Sequence, residues 1–116
     1  MSDNDAFELY DIKVEVFNNG IKPMVCNHKE GDYFLLSGEN FSLPNNQSFP
    51  IYCLAALLPI ITIKQRETDQ HDWISTDHEV ACPDVNCGGV FKISRVAKTR
   101  FYRHQVTLTE PCYERK

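Results

Sequence analysis

The sequence lacks the usual signatures of a cofactor site. Neither G-x-G-x-x-G nor G-x-x-x-x-G-K-[ST] occurs, so the glycine-rich cradles of dinucleotide and nucleotide phosphates are missing. No G-x-S-x-G elbow is present, which removes one common serine nucleophile. None of the five cysteines forms a C-x-x-C pair, the spacing of most zinc knuckles and redox dithiols. Positive charge is also scarce. A formal net charge of −4 argues against general nucleic-acid binding, which needs a basic surface to displace counterions from phosphates. Arg95, Lys98, Arg100 and Arg103 cluster near the C-terminus, but no aromatic stacking motif accompanies them, and a solvated strand face explains them. The opening MSDNDAFELYD has no basic n-region and no apolar h-region. No secretory signal is therefore expected, and the expected compartment is the reducing cytoplasm, where scattered cysteines stay free thiols rather than disulfides.

Only one long apolar run is present, Gln47 to Lys64, QSFPIYCLAALLPIITIK. It contains Pro50 and Pro59 and is short for a membrane span, so a buried core helix is expected and no membrane partner. Ser48 suits the N-cap and Pro50 the first turn. Pro59 should end or kink the helix near Leu58, because an interior proline removes a hydrogen bond and clashes with the preceding turn. Residues Ile60 to Ile63 then continue as strand or irregular buried chain. Being apolar on all sides, the helix should be covered all round or lie against a second subunit. A homo-oligomer, dimer or trimer, is expected on that ground.

Around the helix, alternation marks strands. In Leu9 to Phe17, Ile12, Val14 and Val16 point one way while Asp11, Lys13 and Glu15 point the other. Tyr33 to Leu36, Glu79 to Cys82, Val90 to Val96 and Phe101 to Thr109 are read as further strands. Turn signals fall at Asn18-Asn19-Gly20, Glu30-Gly31-Asp32 and Pro83 to Gly89. The polar stretch Arg66 to Asp77 reads as a long loop carrying the single tryptophan, Trp73. At 116 residues one domain over 1–116 is expected, with 1–7 a flexible N-terminus and 110–116 a flexible tail. The fold class is α+β, a small curved antiparallel sheet of about five strands packed on one central hydrophobic helix.

Three cysteines, Cys26, Cys53 and Cys82, fall at a loop, a helix start and a strand end. Cys53 near a positive helix end could become a thiolate and serve as nucleophile, acid/base or ligand; it could equally be a small buried apolar residue. Three thiolates, or two with His28, would suit zinc or copper(I), which favour soft ligands. Asp84, next to Cys82-Pro83, could move protons beside an aromatic wall or simply close an Asx-turn. Trp73, Tyr52 and His71 are candidate substrate contacts, Trp73 being also a plug for one end of the core.

These pieces occur in a recognisable order: the strand YDIKVEV, Cys26 ahead of Gly31-Asp32, the cysteine-bearing helix, Asp72-Trp73, Cys82-Pro83-Asp84 and Val90-Phe91-Lys92-Ile93-Ser94-Arg95. The set, spanning Tyr10 to Val96, resembles a family of small, mostly bacterial proteins of uncharacterised function. The resemblance implies a compact α+β domain and singles out Cys26, Cys53 and Cys82. The chain departs from the pattern in having Asp72 where proline precedes the tryptophan, in lacking glycines at Glu67 to Gln70, and in its added residues 97–116.

Two functions follow as expectations. One is a small cofactor-independent enzyme, an isomerase, cyclase or lyase, moving protons on an apolar organic metabolite with Cys53, Cys82 and Asp84 as its catalytic set. The other is a metal- or thiol-based binding protein holding zinc or copper on Cys26, Cys53 and Cys82. A non-catalytic interaction module is a third.

Overall fold

A computed structural model describes residues 5–111. Two long strands form its spine, β1 (Ala6–Asn18) and β5 (Gly89–Tyr102), paired antiparallel along their whole length. On β1 the alternation sends Ile12, Val14 and Val16 fully into the core. They lie opposite Arg95, Ile93 and Phe91 of β5. Between Asp11 and Ile12 the register shifts, and the partner jumps from Ala97 to Arg95. One extra residue on β5, Val96, makes a bulge there.

Three shorter strands complete an open antiparallel sheet in the order β3-β2-β1-β5-β4. Strand β2 (Tyr33–Ser37) pairs with Ile12 to Glu15, and β3 (Asn40–Ser42) folds back on β2. On the other side β4 (Glu79–Ala81) pairs only with Val90 to Lys92. The far halves of β1 and β5 therefore run on as a two-stranded ribbon, held by Phe7 stacked on Phe101 at 5.6 Å.

Helix α1 spans Ile51–Lys64. Its Cys53, Leu57 and Ile61 share one buried cluster with Ile12, Val14, Val16, Phe34, Phe91 and Ile93 from the sheet. That spacing of four residues marks a single inward stripe. Two one-turn helices follow, α2 (Trp73–Thr76) and α3 (Arg103–Val106). The class is mixed α and β with strand content dominant.

Several expectations need correction. Helix α1 starts after Pro50, which caps it with extended backbone and no side-chain bond, so Ser48 is not the cap. The helix also runs through Pro59 to Lys64 instead of breaking. Pro59 and Ala55 both lie on the exposed side, so the carbonyl left without its donor can be hydrated. Coverage all round is not found in the single chain: Ile51, Tyr52, Leu58 and Ile63 are exposed. Ala6 and Phe7, placed in a loose terminus, belong to β1, and Asp5 accepts the His104 amide at 3.1 Å. The two strands expected at Val90 to Val96 and Phe101 to Thr109 are one strand followed by α3. Residues 1–4 and 112–116, including most of the expected tail, lie outside the described residues.

Candidate metal centre

Three segments bring sulfur and imidazole to one place. Cys26 and His28 sit in the link between β1 and β2, Cys53 in the first turn of α1, Cys82 just after β4, and Cys87 two residues before β5. The link is pinned by backbone bonds. The Gly88 amide donates to the Pro23 carbonyl at 2.9 Å, and the Asn19 amide donates to the Gly88 carbonyl at 2.8 Å. The Cys82 amide closes the other side on the Gly89 carbonyl at 3.0 Å. Gly88 and Gly89 are needed for close approach. A Cβ on Gly88 would lie 2.0 Å from the Lys22 carbonyl oxygen, and one on Gly89 would lie 3.0 Å from Cε1 of His28.

Within this frame the donor atoms of Cys26, His28, Cys53 and Cys82 all lie within 4.8 Å of one another. The sulfurs of Cys26 and Cys82 are 2.9 Å apart and those of Cys53 and Cys82 are 3.8 Å apart. Sulfurs bound to one tetrahedral zinc at about 2.3 Å stand about 3.8 Å from each other. The second spacing already fits, and the first needs to open. Cys53 is 2% exposed and Cys82 7%, while Cys26 is half-buried.

His28 is the unusual member. Its ring packs edge-on against Phe91 at 5.4 Å and lies 6.2 Å from Phe49. Both ring nitrogens are buried and neither has a hydrogen-bond partner among the described residues. Buried polar atoms are almost always bonded, and an orphan costs on the order of 1–3 kcal/mol. An imidazole with two orphan nitrogens beside three thiols has the donor chemistry of a zinc or copper(I) ligand.

The thiols hold their protons when no cation is near. Cys26 is raised above the ordinary value, first by its contact with Cys82 and then by burial. Cys53 is pushed up to about 12, by burial and then by Cys82. The helix N-terminus was expected to favour the Cys53 thiolate; burial and neighbouring sulfur outweigh it here. Cys87 behaves in the opposite way. Burial raises it, but backbone amides of Cys26, Gly89 and Val25 donate to its sulfur and carry it down to about 7. The Val25 and Gly89 amides lie 3.4 Å from that sulfur.

Above Cys26 and His28 opens a cavity of about 660 Å³ whose walls include Asp32, Tyr33, Asn45 and Gln47. Asn45 and Asn46 hold the left-handed φ values of 58° and 56° on its rim, a conformation asparagine tolerates better than most residues.

The other candidates lie apart from this cluster. Asp84 uses Oδ1 to accept the Asn86 amide at 2.9 Å, which is the turn-closing role. Tyr52 is 80% exposed, and the His71 ring is 3.4 Å from the Asp69 carboxylate at the surface. Trp73 is 58% exposed and does not plug the core; the buried residue of that turn is Ile74. Cys87 was passed over because its spacing from Cys82 fits no knuckle. The Cys82/Cys87 spacing is indeed wrong for a paired ligand loop, yet the fold places Cys87 against Cys26.

The fold and the cluster together define a small sheet-rich α+β protein with a buried sulfur–imidazole centre. No protein-family model, curated protein or solved structure matches the chain. Among the described residues no helix is long and apolar enough to cross a membrane.

Proposed function

We propose that this protein binds a soft metal ion, zinc or copper(I), on Cys26, Cys53, Cys82 and His28. The observation that carries the reading is His28, whose two buried ring nitrogens have no partner while its donor atom lies among three thiols. One cation supplies what each of these groups lacks: a partner for the imidazole and a reason for neighbouring thiols to ionise together. The motif order that resembles the small bacterial family supports the same three cysteines. The cavity over Cys26 and His28 gives an ion a way in and leaves the centre reachable by a small molecule.

The proton-transfer enzyme has less behind it. Asp84 is engaged in its turn, and Tyr52, His71 and Trp73 are all exposed. Self-association is proposed alongside the metal reading. The outward side of α1 presents Ile51, Tyr52, Leu58 and Ile63, and the helix carries no charged residue before Lys64, so a second copy is the occupant that would cover it.

One experiment tests both. Protein purified without chelators is passed over a sizing column with light scattering and elemental detection. A dimer or trimer carrying one zinc or copper per chain, and a Cys82→Ser variant with the ion gone, is the expected result. A wild-type peak without stoichiometric metal removes the centre, and a monomeric mass at micromolar concentration removes the self-association.

A further inference from the structure

At the far end of α1 from the cysteines lies a second chemistry-bearing site. Lys64, the last residue of the helix, is 2% exposed. Its ammonium donates to the Ile74 carbonyl, and no carboxylate pairs with it among the described residues. The nearest acidic influence is Asp77, an exposed residue whose Oδ1 accepts the Thr76 hydroxyl at 3.0 Å. A buried lysine is normally paired, because desolvating an ammonium is costly without a counter-charge.

A cavity of about 320 Å³ is lined by Lys64, Ser75, His78 and Arg95 together with part of β5, and no Asp or Glu lines it. Arg95 has a structural duty there. Its Nε donates to the Lys64 carbonyl at 2.8 Å and its Nη2 to the Arg66 carbonyl at 2.9 Å and the Thr68 hydroxyl at 3.0 Å, closing the end of α1, and the guanidinium lies over the Tyr10 ring at 4.5 Å. Its Nη1 has no partner among the described residues. The Lys92 ammonium, 5.4 Å from the Phe17 ring centre, also lines the cavity. Lys64, whose pKa burial and then Arg95 push down, the permanently charged Arg95, Lys92 and one imidazole thus meet at one opening, in a chain whose net charge is −4.

We propose that this cavity binds a phosphate or the phosphoryl group of a small metabolite, through Lys64 and Arg95 with His78 at the mouth. A dianion suits a lysine and an arginine at one opening better than a carboxylate does, and charge-assisted bonds to a buried ammonium are the strong kind. The binding gives Lys64 the counter-charge that the fold withholds. Nothing in this rests on the metal centre.

The test is titration of the full-length wild-type chain with inorganic phosphate, followed by calorimetry and by backbone amide shifts. Saturable binding in the millimolar range or tighter is expected, with shifts at Ser75, His78 and Arg95. Lys64→Met should weaken it at least about tenfold, the size of one lost charge-assisted bond. Should Lys64→Met fail to fold, the exposed His78→Ala serves instead, with weaker binding of the dianion expected at unchanged thermal midpoint. Absence of saturable binding, shifts located elsewhere, or variants that bind as tightly as wild type would each overturn the proposal. So would acetate binding as tightly as phosphate.

Discussion

At the residue scale the argument turns on His28. The ring fills space between Phe49 and Phe91 as a phenylalanine would, yet it brings two nitrogens into an apolar setting without bonding either. His28→Phe separates packing from ligation. Metal-free, the variant should be more stable than wild type by about 1–3 kcal/mol, the cost of an unsatisfied buried group. With zinc supplied, the wild type should gain stability and the variant should not. Urea unfolding with and without chelator measures both, and a destabilised metal-free variant would mean that the nitrogens are already satisfied. Of this site, Cys26, Cys53, Cys82 and His28 were offered by the sequence as soft-metal ligands from their chemistry, and the fold brings their donor atoms within 4.8 Å of one another. Cys87 was not. What places it is the Gly88 amide on the Pro23 carbonyl and the contact with Cys26, long-range events that no local spacing encodes. Trp73 misled for a related reason: its size suggests a core role, but the turn it opens buries Ile74 instead.

At the scale of elements, period-two alternation found β1 because Ile12, Val14 and Val16 on one face are fully buried, while β2 was found as a short apolar run between turn signals. Alternation broke β5 in two. The bulge at Val96 inverts the phase, and beyond it Ala97, Lys98 and Arg100 are exposed because the ribbon has left the sheet. Strand β3 was missed since none of its three residues is buried. Helix α1 shows local propensity losing to packing. Leu57 and Ile61 on either side of Pro59 are both in the core, so breaking the helix at the proline would unseat Ile61. Thr62 helps on the far side, its hydroxyl donating to the Leu58 carbonyl at 2.9 Å. Pro59→Ala should therefore restore a hydrogen bond on an exposed face and raise stability by about 1–3 kcal/mol without altering the core. A higher thermal midpoint at unchanged metal content is the expected reading. An unchanged midpoint would mean that hydration already compensates the missing bond.

At the scale of the whole molecule, the described chain spans 54 × 35 × 21 Å with a radius of gyration of 16.9 Å, against about 13 Å for a compact domain of this length. Much of the chain is in the ribbon, and a small core remains to hold three separate connections around the sulfurs. A bound ion would join them, so its contribution to stability should depend on pH in a way the bare protein's does not. In the metal-free fold Cys26 and Cys53 keep their protons past the ordinary value near 9, Cys53 to about 12, first by sulfur contact for Cys26 and by burial for Cys53. These raised groups add stability that is fully present below the unfolded value and is lost as pH climbs through the window above it, because the unfolded chain gives up those protons first. With metal bound the sign reverses. The folded state then holds thiolates where the unfolded state holds thiols, so stability falls as acid is added below about pH 9, by up to about 1.4 kcal/mol per pH unit for each ligating thiol. Cys87, brought down to about 7 by backbone amides against the effect of burial, contributes a rise with pH between about 7 and 9 in the metal-free form. Urea unfolding of zinc-loaded and chelator-treated protein across this range gives the difference between the two forms directly. It should grow with pH up to about 9, steeply enough for two or more thiols. A difference that stays flat would mean that the cysteines keep their protons whether or not metal is present, and the centre would then be no more than a buried cluster of small apolar side chains.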